Sequence, residues 1–265
     1  MNDAFFLEAC RAAEAASSGA FACHVIDVGG KQEWAYQSDL QRPAASIVKV
    51  PVLIELFARA DKGQLSLDGT LTLKAPDKVG GAGVLLELHD GLPLTLRDLA
   101  ILMTVVSDNT ASNMLIDRLG MDAINRRIET IGMPQTVLGR KFMIDPNALH
   151  AKNFTSARDM AHMFARLLRG ELLGPSATEE VIGILKRQQY REKLPLLLPE
   201  DLPVAHKTGE ISGTRHDAGL VLLPGRPYAI CCMTWDLQDV LAGDRAIAEV
   251  SRALHQQISD LAAIA

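Results

Sequence analysis

Ala44-Ala45-Ser46-Ile47-Val48-Lys49-Val50-Pro51-Val52-Leu53 sets a hydroxyl and an amine three residues apart inside an otherwise apolar run. On a helix that spacing puts both groups on one face. Ile47, Val48, Val50, Val52 and Leu53 are apolar all round the helix, which predicts a helix buried in the middle of the protein. Desolvation there lowers the pKa of an amine, and a lysine poised nearer neutrality can take the proton of a neighbouring serine and make it a nucleophile. Ser46, in the first turn, would sit where free backbone N–H groups and the helix dipole favour developing negative charge. Pro51 is tolerated near that turn and would cost much more deeper in the helix. Ser-x-x-Lys by itself occurs about once by chance in a chain of this length and average composition, so its weight depends on what accompanies it.

Outward from this helix, the two ends of the chain mirror one another. Residues 3–18 read as a helix, Ala20–Val28 as a strand, Gly29-Gly30 as a turn, and the run to about Gln37 as a second strand. At the far end Pro203–Thr208, His216–Leu223 and Pro227–Trp235 read as strands, and a helix from about Val240 to Leu261 closes the chain. Between them the signals are helical: Thr95-x-x-Asp98 opens Leu96–Val106, Ser156-x-x-Asp159 opens a helix that Gly170 stops, and Ser176-x-x-Glu179 reads as a capping box opening a helix to about Gln189. Strands at both ends must meet in one sheet to bury their edges and apolar faces. The expected architecture is therefore α+β: a five-stranded, mainly antiparallel sheet with flanking helices, residues 1–45 and 195–265, beside an all-helical lobe, 46–194, with the site between them. Gly80-Gly81-Ala82-Gly83 lacks the context of a phosphate or dinucleotide loop and reads as a flexible turn.

Composition narrows the function classes. Of 265 residues 48% are hydrophobic and 22% charged, an ordinary globular balance, and a net charge of −5 gives no basic field for nucleic acid or anionic lipid. No apolar run is long enough to span a membrane. The N-terminus has no cationic flank and no long apolar segment, which reads as a cytoplasmic chain, or as a periplasmic or secreted one whose leader has been removed. Cys10, Cys23, Cys231 and Cys232 form no Cys-x-x-Cys pair and read as buried small hydrophobes, adjacent Cys231 and Cys232 pointing to opposite faces of a strand. The seven histidines, His24, His89, His150, His162, His206, His216 and His255, form no ligand-spaced pair, so no metal and no cofactor is expected. His206 and His216 read as satisfied neighbours of the strand that ends near them.

Two further motifs carry chemistry. Ser107-Asp108-Asn109 lies at the junction of two helical runs, where Ser107 could relay a proton and Asn109 hold an amide, although the triplet would serve equally as a helix cap. Lys207-Thr208-Gly209 ends a strand: lysine and threonine suit an anionic group, and glycine allows close backbone approach. Ser-x-x-Lys, Ser-Asp-Asn and Lys-Thr-Gly, in that order, on a helix, a helix junction and a strand, are the three motifs of the penicillin-recognising serine enzymes. The chain resembles their class A β-lactamase branch over nearly its whole length, through Ser107-Asp108-Asn109-Thr110-Ala111-Ser112-Asn113 and Gly213-Thr214-Arg215 as well.

The resemblance implies Ser46 as the acylated nucleophile, Lys49 as its base or base partner, and Ser107 as the shuttle to the leaving nitrogen. It implies that Asn109 binds the substrate's side-chain amide and that Lys207, Thr208 and Arg215, with Gly209 beside them, hold its carboxylate. The backbone N–H groups of Ser46 and Glu210 would form the oxyanion hole. The partner implied is a small β-lactam or related acyl substrate, with no nucleic acid and no membrane; the sequence leaves the oligomeric state open and favours a monomer. Class A enzymes also carry a Glu-x-x-x-Asn element whose glutamate activates the deacylating water, and this chain lacks it. Matching Arg140 and Pro146 to the family's arginine and proline places Asp145 at the glutamate's position, with a side chain one methylene shorter and about 1 Å less reach. Other uses of the same machinery would be an esterase or amidase, a D-alanyl peptide hydrolase, or a sensor that stays acylated.

Overall fold

A computed structural model describes residues 1–30, 32–143 and 152–264. In chain order the elements are α1 (Asp3–Ala16), β1 (Ala20–Asp27), β2 (Glu33–Tyr36), β3 (Arg42–Pro43), a 3-10 turn (Ala45–Val48) and α2 (Lys49–Asp61). Then come β4 (Thr70–Thr72), β5 (Pro93–Thr95), α3 (Leu96–Val105), α4 (Asn109–Leu119) and α5 (Met121–Thr130). They are followed by β6 (Phe154–Thr155), α6 (Ala157–Leu168), α7 (Pro175–Leu185), β7 (Val204–Ile211), β8 (Thr214–Val221), β9 (Tyr228–Trp235) and α8 (Val240–Ile264).

The five-stranded sheet runs β2-β1-β9-β8-β7, with every pairing antiparallel. β9 is buried at all eight positions, as a central strand covered on both faces must be. One apolar core lies between the sheet and the helices of the middle of the chain, and a second joins the opposite face to α1 and α8. Cys231 belongs to the first and Cys232 to the second, and all four cysteines are free and buried. α6 packs directly on β1, β8 and β9, while the turn bearing Ser46 packs on β7. No helix among the described residues is long and apolar enough to cross a membrane.

Helix starts follow local chemistry. Thr95 and Asp98 cap α3 reciprocally, and Ser156 Oγ accepts from Asp159 N at 3.1 Å to open α6. The expected box at Ser176 does not form. α7 starts two residues earlier, with Pro175 at its first position and Gly174 before it, because proline's fixed φ and missing N–H suit that position without a side-chain cap. α2 is buried along most of its length, as its all-round apolar sequence predicts. Its second charge, Glu55, is satisfied by Arg59 at 2.7 Å and Arg127 at 2.8 Å.

Candidate active site

Ser46 lies in the 3-10 turn and Lys49 on the first residue of α2, so the Ser-x-x-Lys pair straddles the change from one helix geometry to the other. The turn is pressed against β7 at Gly209. A Cβ there would stand 3.1 Å from Ala45 Cβ and 3.2 Å from Ile47 N, so a larger residue would have to push the Ser46 turn away from the strand. Ala45 itself takes φ 45°, a left-handed conformation that is strained for a residue with a Cβ.

Lys49 is 1% exposed, and its ammonium donates to Ser107 O at 2.7 Å, Ser107 Oγ at 3.1 Å and Asn109 Oδ1 at 2.8 Å. It also lies 4.4 Å from the centre of the Phe142 ring. From β7, Lys207 donates to the same Ser107 Oγ at 3.0 Å and to Thr208 O at 2.7 Å. Two amines from different elements thus converge on one hydroxyl. Ser107 is held there at φ 55°, between α3 and α4. Burial is the first cause that lowers both amines: Lys49 falls well below the usual lysine value, with Lys207's charge adding to the effect, and Lys207 is pushed down to about 7.

The residues between Ser107 and Asn109 also fix the rim. One oxygen of Asp108 accepts from Ala111 N at 2.8 Å and caps α4. The other takes Val84 N at 2.6 Å and Leu85 N at 2.8 Å. Asn109 N donates to Ala82 O and Asn109 Nδ2 to Gly80 O, each at 3.0 Å. The Gly80–Gly83 stretch is accordingly no flexible turn but a loop fastened to the helix junction, and a Cβ on Gly81 or Gly83 would strike Asn109 or Asp108. Glycine is there for close approach as well as for backbone freedom.

A cavity of about 230 Å³ opens at this place, lined by Ser46, Asn109, Phe142, Arg140, Lys152 and Glu210 among others. Phe142 and Lys152 are lining residues that no spacing or motif in the sequence marks, and Arg140, used in the sequence only to set the register of the loop, lines the cavity as well. Lys141 also lines the cavity, but both oxygens of Asp117 hold its amine at 2.8 Å. A larger groove between α1 and α8 is mostly alanine-lined and carries no nucleophile.

Other expected residues are placed differently. Arg215 is not in the cavity wall: its guanidinium donates to Ile211 O and Thr214 O, and its Nε lies 3.6 Å from Asp244 on α8. Thr208 and Gly209 adjoin the site on β7. Of the flanking histidines, His216 meets Pro43 O at 2.9 Å and Arg215 O at 2.7 Å, while burial pushes it down to about 4. His206 pairs with Asp217 through Nδ1, but its Nε2 is buried with no partner among the described residues, so it is only half satisfied. Asp145 lies outside the described residues, as does His150.

Residues 6–258 match the model of a family described as the beta-lactamase enzyme family. The chain belongs to that family. It is 30% identical over 258 residues to a beta-lactamase of Streptomyces fradiae, covering 91% of this chain and 81% of the relative. A solved beta-lactamase of Sphaerobacter thermophilus is 33% identical, with a TM-score of 0.92 over 98% of each chain. An ancestral class A beta-lactamase structure is 28% identical, with a TM-score of 0.88 over 95% of this chain and 99% of that one. The family's class A architecture is thus the architecture described above, an α+β fold with a five-stranded antiparallel sheet.

Proposed function

We propose that this chain opens the amide of a β-lactam ring by way of an acyl-enzyme on Ser46. The observation that carries the reading is the meeting of Lys49 and Lys207 on Ser107 Oγ, at 3.1 and 3.0 Å. With both lone pairs of that oxygen engaged, its own proton points outward and is available to a leaving nitrogen. Lys49 as an ammonium donates three hydrogen bonds. As a neutral amine it keeps two and gains a lone pair, which takes the Ser46 proton as Oγ adds to the substrate carbonyl. The C–N bond then breaks, the nitrogen receives the Ser107 proton, and Ser107 Oγ takes a proton in turn from the Lys49 ammonium, which returns to the neutral amine. In this reading the N–H groups of Ser46 and Glu210 receive the oxyanion, and Asn109 offers its remaining amide hydrogen to the substrate side chain. Lys207 and Thr208 hold the carboxylate, and Arg215 adds its positive charge from outside the cavity wall.

Water then releases the acyl group with Asp145 as base. Its short reach supports slow release, so acylation outpaces deacylation and the time course shows a burst. Nitrocefin turnover followed together with intact mass tests the whole reading. A penicillin should add one drug mass to the parent protein and none to Ser46→Ala, and an adduct on Ser46→Ala would overturn the nucleophile assignment. Asp145→Asn should keep the burst and slow the steady state by about 10²–10⁴-fold. Turnover at the parent rate would remove Asp145 from the role.

A further inference from the structure

The far edge of the sheet holds a second cluster. His24 on β1, Glu33 on β2 and His162 on α6 each point one ligand atom into the same space, and those atoms all lie within 4.8 Å of one another. Glu33 Oε2 is 3.7 Å from His24 Nε2 and 3.3 Å from His162 Nε2. Two ligands at a tetrahedral zinc stand about 3.3 Å apart, given Zn–N bonds near 2.0–2.1 Å, so the trio needs only side-chain adjustment to close on an ion. We propose that His24, Glu33 and His162 bind a zinc-like divalent cation that ties the edge strand β2 to α6.

A second observation points the same way. His24 is 2% exposed, yet neither of its ring nitrogens has a hydrogen-bond partner among the described residues, and His162 Nε2 is likewise buried and unpartnered. Buried polar atoms of this kind are rare in folded proteins unless something absent from the protein's own atoms satisfies them. Burial also favours the neutral, ligating form of both imidazoles. Glu33, 48% exposed, supplies a negative charge and an entry path, and leaves the fourth position to water. Imidazole and carboxylate together suit zinc or a neighbouring first-row ion better than magnesium or calcium.

Two cations oppose such an ion, Arg158 and Arg169. Arg158 is itself paired with Asp39 at 3.1 Å, and Arg169 Nε is turned to Val28 O at 3.2 Å. The ligands escape sequence spacing because they come from three elements, two of which pair as neighbouring strands. β2 and β7 are opposite edges of the sheet. With strands about 4.8 Å apart, the cluster, carried by β1 and β2, is three to four strand spacings, roughly 14–19 Å, from the strand beside Ser46. The ion is therefore structural.

The test uses the full chain stripped with a chelator and then dialysed against Zn2+, with Co2+ as a spectroscopic probe. The parent should retain one zinc per chain, and Co2+ should give visible bands of low-symmetry nitrogen and oxygen ligation. Its melting temperature should rise by about 5–10 °C at a hundredfold excess over Kd. Glu33→Gln and His162→Gln change partly exposed side chains, so the fold should persist while zinc affinity falls by at least about 100-fold, more than the loss of an outer-shell partner. Both variants should lose the thermal shift and the Co2+ bands while keeping the parent rate on nitrocefin. A parent that retains no zinc, or variants that retain it equally, would overturn the proposal.

Discussion

Lys49 and Lys193 are equally buried, at 1% and 0% exposure, and each has three oxygens about its amine. Their chemistry diverges because of what carries those oxygens. Lys49 meets a carbonyl, a hydroxyl and an amide, all neutral, and burial lowers its proton affinity. Lys193 meets the carboxylates of Glu192 at 2.7 Å, Glu210 at 2.6 Å and Asp244 at 3.4 Å. Burial again acts to lower its pKa, but the carboxylates outweigh it and the net shift is upward. Desolvation thus lowers a lysine's proton affinity unless carboxylates in direct contact outweigh it, as they do at Lys193. One amine is left with a lowered proton affinity, and the other holds the strand that carries Glu210.

Exchanging roles between these amines is the sharpest way to break that contrast. Lys49→Met should cut acylation by about 10²–10⁴-fold, the span of general-base catalysis, as read from the rate of mass gain with a penicillin. Equal rates in variant and parent would return Lys49 to a structural role. Lys193→Met should do the reverse, leaving acylation within about tenfold of the parent while lowering stability. Breaking a buried pair costs about 3–5 kcal/mol, but Glu192 and Glu210 are 43% and 45% exposed. Water can therefore take over part of the lysine's work, and about 1–3 kcal/mol is expected in denaturant melts.

The carboxylate-holding group gives smaller effects. Arg215→Ala should raise the apparent KM for acylation by less than about tenfold, since its charge acts from outside the cavity wall and not through a direct charge-assisted bond. Substrates with and without a carboxylate should then respond unequally, and equal responses would rule the role out. The pH profile should follow Lys207, which is charged below about 7 and neutral above it. Apparent affinity for an anionic substrate should weaken several-fold as pH rises from 6 to 8, and Lys207→Arg, whose charge does not titrate there, should flatten the change. Since the unfolded chain binds the Lys207 proton up to a higher pH than the folded chain does, that group should add stability as pH climbs from about 7 towards 10.5.

Much of this arrangement was legible in the sequence where chemistry is local. Ser46 and Lys49 are three residues apart, Ser107 and Asn109 two, and Lys207 to Gly209 contiguous, so each motif is carried by one element and survives as a pattern. Thr95–Asp98 and Ser156–Asp159 were readable for the same reason. What failed or was missed depends on partners distant in the chain. Gly80–Gly83 looked mobile because its anchors, Asp108 and Asn109, lie on another element. Ser176 offered a correct capping pattern that Pro175 pre-empted. Lys193 is an ordinary lysine until the fold surrounds it with three acids, and His24, Glu33 and His162 share a site only once β1, β2 and α6 are packed. Arg215 was expected beside the substrate, but its neighbours on β7 and α8 hold it outside the described cavity wall.

The sheet order has a consequence for how the chain is made. β1 pairs with β9, Asp27 opposite Tyr228, so about 200 residues must be synthesised before the first strand meets its central partner. At ribosomal rates of about 5–20 residues per second, that is on the order of 10–40 s in which Phe21, Cys23 and Val25 lack the strand that will cover them. The helices from α2 to α7 emerge during that interval and can settle first, since their contacts are mostly nearer in sequence. The hairpin of β1 with β2 and the packing of α1 on β1 are the shelter available at that stage. The emergence of β9 is then the moment at which β1 ceases to offer an open edge to its neighbours.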